Sequence, residues 1–105
     1  MPSPDFKRSD RISDLIKEEI SNILCFEVKD PRVKGLTVLK VELSPDMKKS
    51  YIFFSSSNSF SDLDVEEILE GLEKAKGFIR RKLSRNLNLR RTPEIYFKQE
   101  SLQQI

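Results

Sequence analysis

The chain has 105 residues, 37% apolar and 34% charged, which is enough for one compact domain and too few for a second. It holds no histidine, no tryptophan and one cysteine, Cys25. Histidine-dependent triads are thereby excluded, an intramolecular disulfide is impossible, and zinc, haem and iron–sulfur sites lack most of their usual ligands. The apolar runs fall far short of the roughly 20 residues that cross a bilayer, and residues 1–8 lack the apolar stretch of a secretory signal. These features predict a cytoplasmic protein with a single domain over residues 1–105, ordered from about 5 to 99.

Ile12, Leu15, Ile16, Ile20, Ile23 and Leu24 recur three and four residues apart, which predicts a helix from about Asp5 to Phe26. Ser3 and Pro4 read as its cap and first turn, with Ser9 and Asp10 as alternative starts. Pro31 disfavours helical geometry at Asp30 and stops it. Cys25, beside Leu24, reads as a small buried hydrophobe. From Leu36 to Leu43 the period becomes two, with Thr37, Leu39, Val41 and Leu43 on one face and Val38, Lys40 and Glu42 on the other. Residues 44–49 form a turn into Tyr51-Ile52-Phe53-Phe54, so the pair reads as an antiparallel hairpin. The serine-rich run 55–61 is a connecting loop.

A second helix is expected from near Asp62, with Ser61 and Asp64 resembling a capping box. Val65, Ile68, Leu69 and Leu72 form its apolar stripe, which continues in phase through Ile79, Leu83 and Leu87. Gly77 interrupts it, and an interior glycine costs about 1 kcal/mol relative to alanine, so a kink or break is expected there. Thr92 and Pro93 close the helical region, and Glu94 to Lys98 read as a last strand with Ile95 and Phe97 on one face. The order helix, strand, strand, helix, kink, helix, strand predicts an α+β domain whose three-stranded sheet packs one face on the helices. The connection to the third strand is long enough to cross over the sheet.

The net charge of +2 conceals a strong polarity. Asp62 to Glu73 contains six acidic residues and no basic one, whereas Lys74 to Lys98 contains nine basic residues against one acidic. A solvated helix face that matches the helix dipole is the plainer reading of Lys74, Lys76, Arg80, Arg81, Lys82 and Arg85. The alternative is a phosphate-binding strip. Arginine predominates, with Arg90 and Arg91 following, and its planar fork suits phosphate, so a nucleic-acid backbone is the leading partner class. Tyr51, Phe53 and Phe54 are candidates for base stacking, although strand aromatics are more often core, and the core reading is favoured. Lys29-Asp30-Pro31-Arg32 is either a ligand-anchoring loop or an ordinary post-helix turn. Glu66 and Glu67 diverge on a helix and make no acid–base pair. The glycines at 35, 71 and 77 build no phosphate loop. No catalytic residue, cofactor, metal or small-molecule substrate is expected.

Three blocks of residues resemble the ribosome-binding factor A family. The first is the helix leading into Glu27-Val28-Lys29-Asp30-Pro31-Arg32. The second is the hairpin with Val38, Val41, Ser44, Asp46 and Ser55. The third, and most specific, comprises Ala75-Lys76-Gly77-Phe78-Ile79-Arg80, Leu83, Leu87, residues 89–95 and Phe97. The resemblance implies a single KH-like domain of the second topological type, without the GXXG loop by which KH domains usually clamp single strands, and with Ala75-Lys76-Gly77 as a kink in its place. It further implies a monomeric, non-enzymatic factor that associates with the free or precursor small (30S) ribosomal subunit, assists late 16S rRNA processing and supports growth in the cold. Carried over by position, the rRNA contacts are Arg80, Arg81, Lys82, Arg85, Arg90 and Arg91, with Lys76, Lys29 and Arg32 as further candidates. Many members extend into a longer C-terminal tail, whereas this chain stops at Ile105, and contacts through such a tail are expected to be absent. Two readings from other classes stand beside this one: a helix-turn-helix-like DNA-binding module using Lys74 to Leu87, and a protein-interaction module using the acidic face from Asp62 to Glu73. A small nuclease or phosphatase is disfavoured by the lack of histidine and of convergent carboxylates.

Overall fold

The computed structural model describes residues 4–56 and 64–100. Helix α1 (Pro4–Asn22) runs into a π turn (Ile23–Glu27), a 3-10 turn (Pro31–Val33) and the hairpin of β1 (Thr37–Leu43) and β2 (Lys49–Ser55). Helix α2 (Val65–Leu87) then leads to β3 (Glu94–Gln99). The sheet order is β1-β2-β3, with β1 antiparallel and β3 parallel to β2. A parallel neighbour requires a crossover, and α2 supplies it. The result is the expected two-layer α+β arrangement.

The core is built from the predicted stripes. Ile16, Ile20, Ile23 and Leu24 come from α1 and its continuation, and Ile68, Leu72, Ile79 and Leu83 from α2. They meet Val38, Val41, Ile52, Phe54, Ile95 and Phe97 on the inner face of the sheet. Phe54 and Phe97 pack edge to face, centroids 6.5 Å apart.

Several local expectations are corrected. Leu15 belongs to the predicted stripe but is 52% exposed, because it lies at the edge of the helix face that Ile16 and Ile20 bury. Cys25 is exposed rather than buried. The π turn causes this: the Val28 amide donates to the Ile23 carbonyl (2.9 Å), and the widened turn buries Ile23, Leu24 and Val28 while Cys25 and Phe26 face solvent. In β1 strict alternation fails at Leu39, which is bulged between the Val38–Phe54 and Lys40–Phe53 pairs. Val38 and Val41, expected on opposite faces, are therefore both buried.

The break expected at Gly77 is absent, and α2 is one continuous helix. A cost of about 1 kcal/mol for glycine is outweighed by burying Ile79 and Leu83 just beyond it, each worth about 1.5–3 kcal/mol. The cap of α2 is Asp64, whose carboxylate accepts from the Glu67 amide at 3.0 Å. Ser3 and Ser61, the other expected cap residues, lie outside the described residues. At its C-terminus α2 ends in Asn88, left-handed at φ 51°, with its amide bonded to the Ser84 carbonyl.

The two interior glycines of α2 differ. A Cβ on buried Gly71 would stand 3.0 Å from Arg32 Cβ and 3.3 Å from Val33 Cγ1, so this residue admits the 3-10 turn against the helix. A Cβ on exposed Gly77 would meet only Arg81 Nη1, at 3.6 Å. In urea unfolding, Gly77→Ala is expected to gain about 0.5–1 kcal/mol from helix propensity. Gly71→Ala is expected to lose about 1 kcal/mol or more despite the same propensity gain, because the turn must move.

Candidate nucleic-acid interface

The charge polarity of the sequence becomes a polarity along α2. Its first turns carry Glu66, Glu67, Glu70 and Glu73, all exposed, at the end where the helix dipole favours anions. Its last three turns carry Arg80, Arg81, Lys82 and Arg85, and the following loop adds Arg90 and Arg91.

These cations are not equivalent. Arg81, Arg85, Arg90 and Arg91 are exposed and have no hydrogen-bond or ion-pair partner among the described residues. Arg80 is half-buried: its Nη2 donates to the Thr92 carbonyl at 3.0 Å, and its Nε is buried without a partner. It thus ties the loop after α2 to the helix. Lys82 is paired with Glu27 at 3.0 Å, which joins α2 to the π turn, and lies 5.7 Å from the Phe78 ring. Lys76 is paired with Glu73 at 2.9 Å. Lys29 is exposed on the loop before Pro31.

Arg32 is engaged most heavily of all. Its backbone amide and guanidinium both donate to Asp30, with Nη2–Oδ2 at 2.7 Å, and its Nη1 donates to Glu70 of α2 at 2.7 Å. This fork closes the 3-10 turn onto the helix beside Gly71. The hydrogen bonds from Arg32 hold the Asp30 carboxyl below its ordinary range. Because the folded form has the lower pKa, the stabilisation is complete above the normal aspartate range and is lost as the pH falls through it.

Beside the arginine strip lies a cleft of ≈ 580 Å³, lined by Ile12 of α1, Asp46 to Lys48 of the hairpin turn, Arg80, and residues 88–94. The turn is rigidly built. Ser44 Oγ donates to Asp46 Oδ1 (2.6 Å) and accepts from the Lys49 amide, while Asp46 Oδ1 accepts from the Lys48 amide (3.0 Å). Met47 is left-handed at φ 61°. The Glu94 amide donates to the Lys48 carbonyl at 2.8 Å, which fixes the turn to the start of β3. The arginine-rich loop is therefore held at its C-terminal end, by Arg80 on Thr92 and by Glu94 on Lys48. Lys48 was not among the sequence candidates. The pattern of residues 44–49 signalled a turn, but nothing in it signalled proximity to residues 88–94.

A smaller groove, ≈ 350 Å³, runs along α2 between Gly77, Arg80, Arg81, Ser84 and Thr92. Of the Ala75-Lys76-Gly77 motif, Gly77 lines this groove as bare helix backbone. Among the described residues no group of histidine, cysteine, aspartate and glutamate is placed to hold a metal, and no helix is long and apolar enough to cross a membrane.

The order α1-β1-β2-α2-β3, with β1 antiparallel to β2 and α2 crossing over to a parallel β3, is that of a KH-like domain. The sequence profile of the ribosome-binding factor A family matches residues 8–104. A ribosome-binding factor A from Syntrophus aciditrophicus is 47% identical over 96 residues, 91% of this chain and 76% of the relative. The crystal structure of ribosome-binding factor A from Thermus thermophilus superposes with a TM-score of 0.75 over 87% of this chain and 94% of that one, at 24% identity, and shows the same fold. A homology model of Thermus thermophilus ribosome-binding factor A, fitted into a cryo-EM map of its complex with the 30S subunit, gives 0.59, at 26% identity, over 85% of this chain and 87% of that one. The chain belongs to the ribosome-binding factor A family.

The Arg32 fork makes a prediction that separates scaffold from interface. Asp30→Asn is expected to lower the melting temperature at pH 7 and to flatten the fall in stability between about pH 5 and pH 2, followed by thermal unfolding across that range. An unchanged acid limb would show that the fork carries no stability.

Proposed function

We propose that this protein binds the free or precursor small ribosomal subunit through rRNA and assists late 16S rRNA processing, as a monomeric cytoplasmic factor without catalytic activity. The observation that carries this reading is the set of four exposed arginines without a partner among the described residues, Arg81, Arg85, Arg90 and Arg91, on one helix end and its pinned loop. The Thermus thermophilus relative fitted into the map of its 30S complex supports the small subunit as partner.

In this reading the four arginines and Lys48 meet backbone phosphates. Such contacts position a protein without reading sequence. Arg80 orients the loop, Lys82 and Lys76 lie at the margins with their charges already paired, and Lys29 is a peripheral contact. Arg32 serves the fold rather than the RNA. Gly77 leaves the helix backbone open to a close-approaching strand.

The test is co-sedimentation with purified small subunits. Arg81→Gln, Arg85→Gln and Arg90→Gln together are expected to weaken binding at least tenfold while the melting temperature stays within a few degrees of the parent. The parent's affinity is expected to fall steeply with salt, and the triple variant's slope to be lower by about two to three. Binding that ignores these changes would remove the arginines from the interface. Preference for duplex DNA over rRNA would instead support the helix-turn-helix alternative, which the strands on either side of α2 disfavour.

A further inference from the structure

The arginine strip leaves the outer face of the sheet unassigned. On the sheet face turned away from the core, the register places three aromatic rings among lysines. One row reads Lys40, Phe53, Lys98 across β1, β2 and β3, and the next reads Glu42, Tyr51, Tyr96. All three rings are half-buried. Tyr51 and Tyr96 stack at 5.5 Å between centroids, inclined by 24°. The Tyr96 hydroxyl donates to Glu94 at 2.7 Å, which fixes that ring.

Each ring is also touched by a lysine. Lys40 Nζ lies 4.7 Å from the Phe53 centroid, Lys98 5.5 Å from Tyr51, and Lys76, reaching past the β3 edge, 5.5 Å from Tyr96. The carboxylates nearby are Glu42 and Glu100, which approach Lys40 at 3.6 and 3.8 Å, Glu73, paired with Lys76 at 2.9 Å, and Glu94, held by the Tyr96 hydroxyl. Lys98 has no carboxylate partner among the described residues.

We propose that this outer sheet face is a second nucleic-acid surface, one that takes single-stranded RNA by stacking unpaired bases on Tyr51, Tyr96 and Phe53 while Lys40, Lys98 and Lys76 meet the phosphates. Two chemical features favour this occupant. Flat rings a few ångströms apart on neighbouring strands present stacking platforms that accept any base. Lys98, with no carboxylate partner among the described residues, supplies charge for a backbone, and the flexible stems of Lys40 and Lys76 let them exchange their exposed carboxylate and ring contacts for a phosphate. A protein partner fits less well, because the cores of protein interfaces are depleted in lysine and glutamate. The choice of RNA over DNA rests on the proposed rRNA partner; the stacking geometry does not depend on it.

The protein carries its own reporter. It has no tryptophan and only two tyrosines, both on this face. Titration with a 12-nucleotide oligouridylate is therefore expected to quench tyrosine emission by half or more, after correction against N-acetyltyrosinamide at the same RNA concentration. Phe53→Ala is expected to weaken that binding at least fivefold, and so is the double change Lys40→Gln with Lys98→Gln, which leaves the rings in place should the first variant unfold. The Arg81, Arg85 and Arg90 triple variant is expected to keep the full quenching amplitude, which makes the result independent of the arginine strip. RNA binding seen by anisotropy without quenching would overturn the proposal. So would equal quenching by a 12-base-pair RNA duplex, whose bases cannot stack on the rings. A concentration-dependent change in emission without RNA, tracking dimer formation in sedimentation velocity, would overturn it in favour of a second copy of the chain.

Discussion

The parallel pairing of β3 with β2 is the constraint on which the rest of the molecule depends. Two parallel neighbours cannot be joined by a tight turn, so the chain must leave the sheet, cross it and return. The 23 residues of α2 do this, spanning roughly 34 Å at 1.5 Å per residue. A helix of that length has two well-separated ends, and the sequence gives them opposite charge. The acidic end meets Arg32 through Glu70, and the basic end projects arginines beside the hairpin turn. Because both strands enter from the same end, the loop into β3 must pass the turn that opens β2. The Glu94–Lys48 hydrogen bond records that meeting and shapes the cleft.

Two local devices hold the crossover in place. The Asp30–Arg32–Glu70 fork with Gly71 seats the 3-10 turn against the first half of α2, and the Lys82–Glu27 pair ties the second half to the π turn. Arg80 then anchors the loop to the helix. The basic residues thus divide into those spent on structure and those without a partner among the described residues. A count of positive charge in the sequence does not separate these groups, because Arg32 and Arg81 look alike until their neighbours are known.

Much of the fold was legible because hydrophobic period reports burial directly. Ile68, Leu72, Ile79 and Leu83 at helical spacing, and Ile95 with Phe97 at strand spacing, are buried as read. What was hidden depends on a single inserted residue or on distant pairing. The bulge at Leu39 shifts Val38 onto the inner face, and the π turn turns Cys25 and Phe26 outward. Neither has a sequence signature strong enough to override regular periodicity. Gly77 does not break the helix for an energetic reason, since one glycine costs less than the buried side chains on either side of it supply. Of the candidate site, the arginines were legible as charge, but the contribution of Lys48 and the structural use of Arg32 required contacts across 38 residues or more. The strand aromatics divided: Phe54 is core, as favoured, whereas Tyr51 and Phe53 lie on the outer face.

The central claim is that the basic half of α2, and not its acidic half, faces small-subunit rRNA. A hydroxyl-radical probe tethered at a single cysteine tests it most directly, in a Cys25→Ser background with Arg85→Cys or Glu66→Cys. Bound to purified small subunits, the probe at position 85 is expected to cleave a compact set of 16S rRNA nucleotides, and the probe at position 66 to leave those nucleotides intact. Equal cleavage from both positions, or cleavage from position 66 alone, would contradict the account.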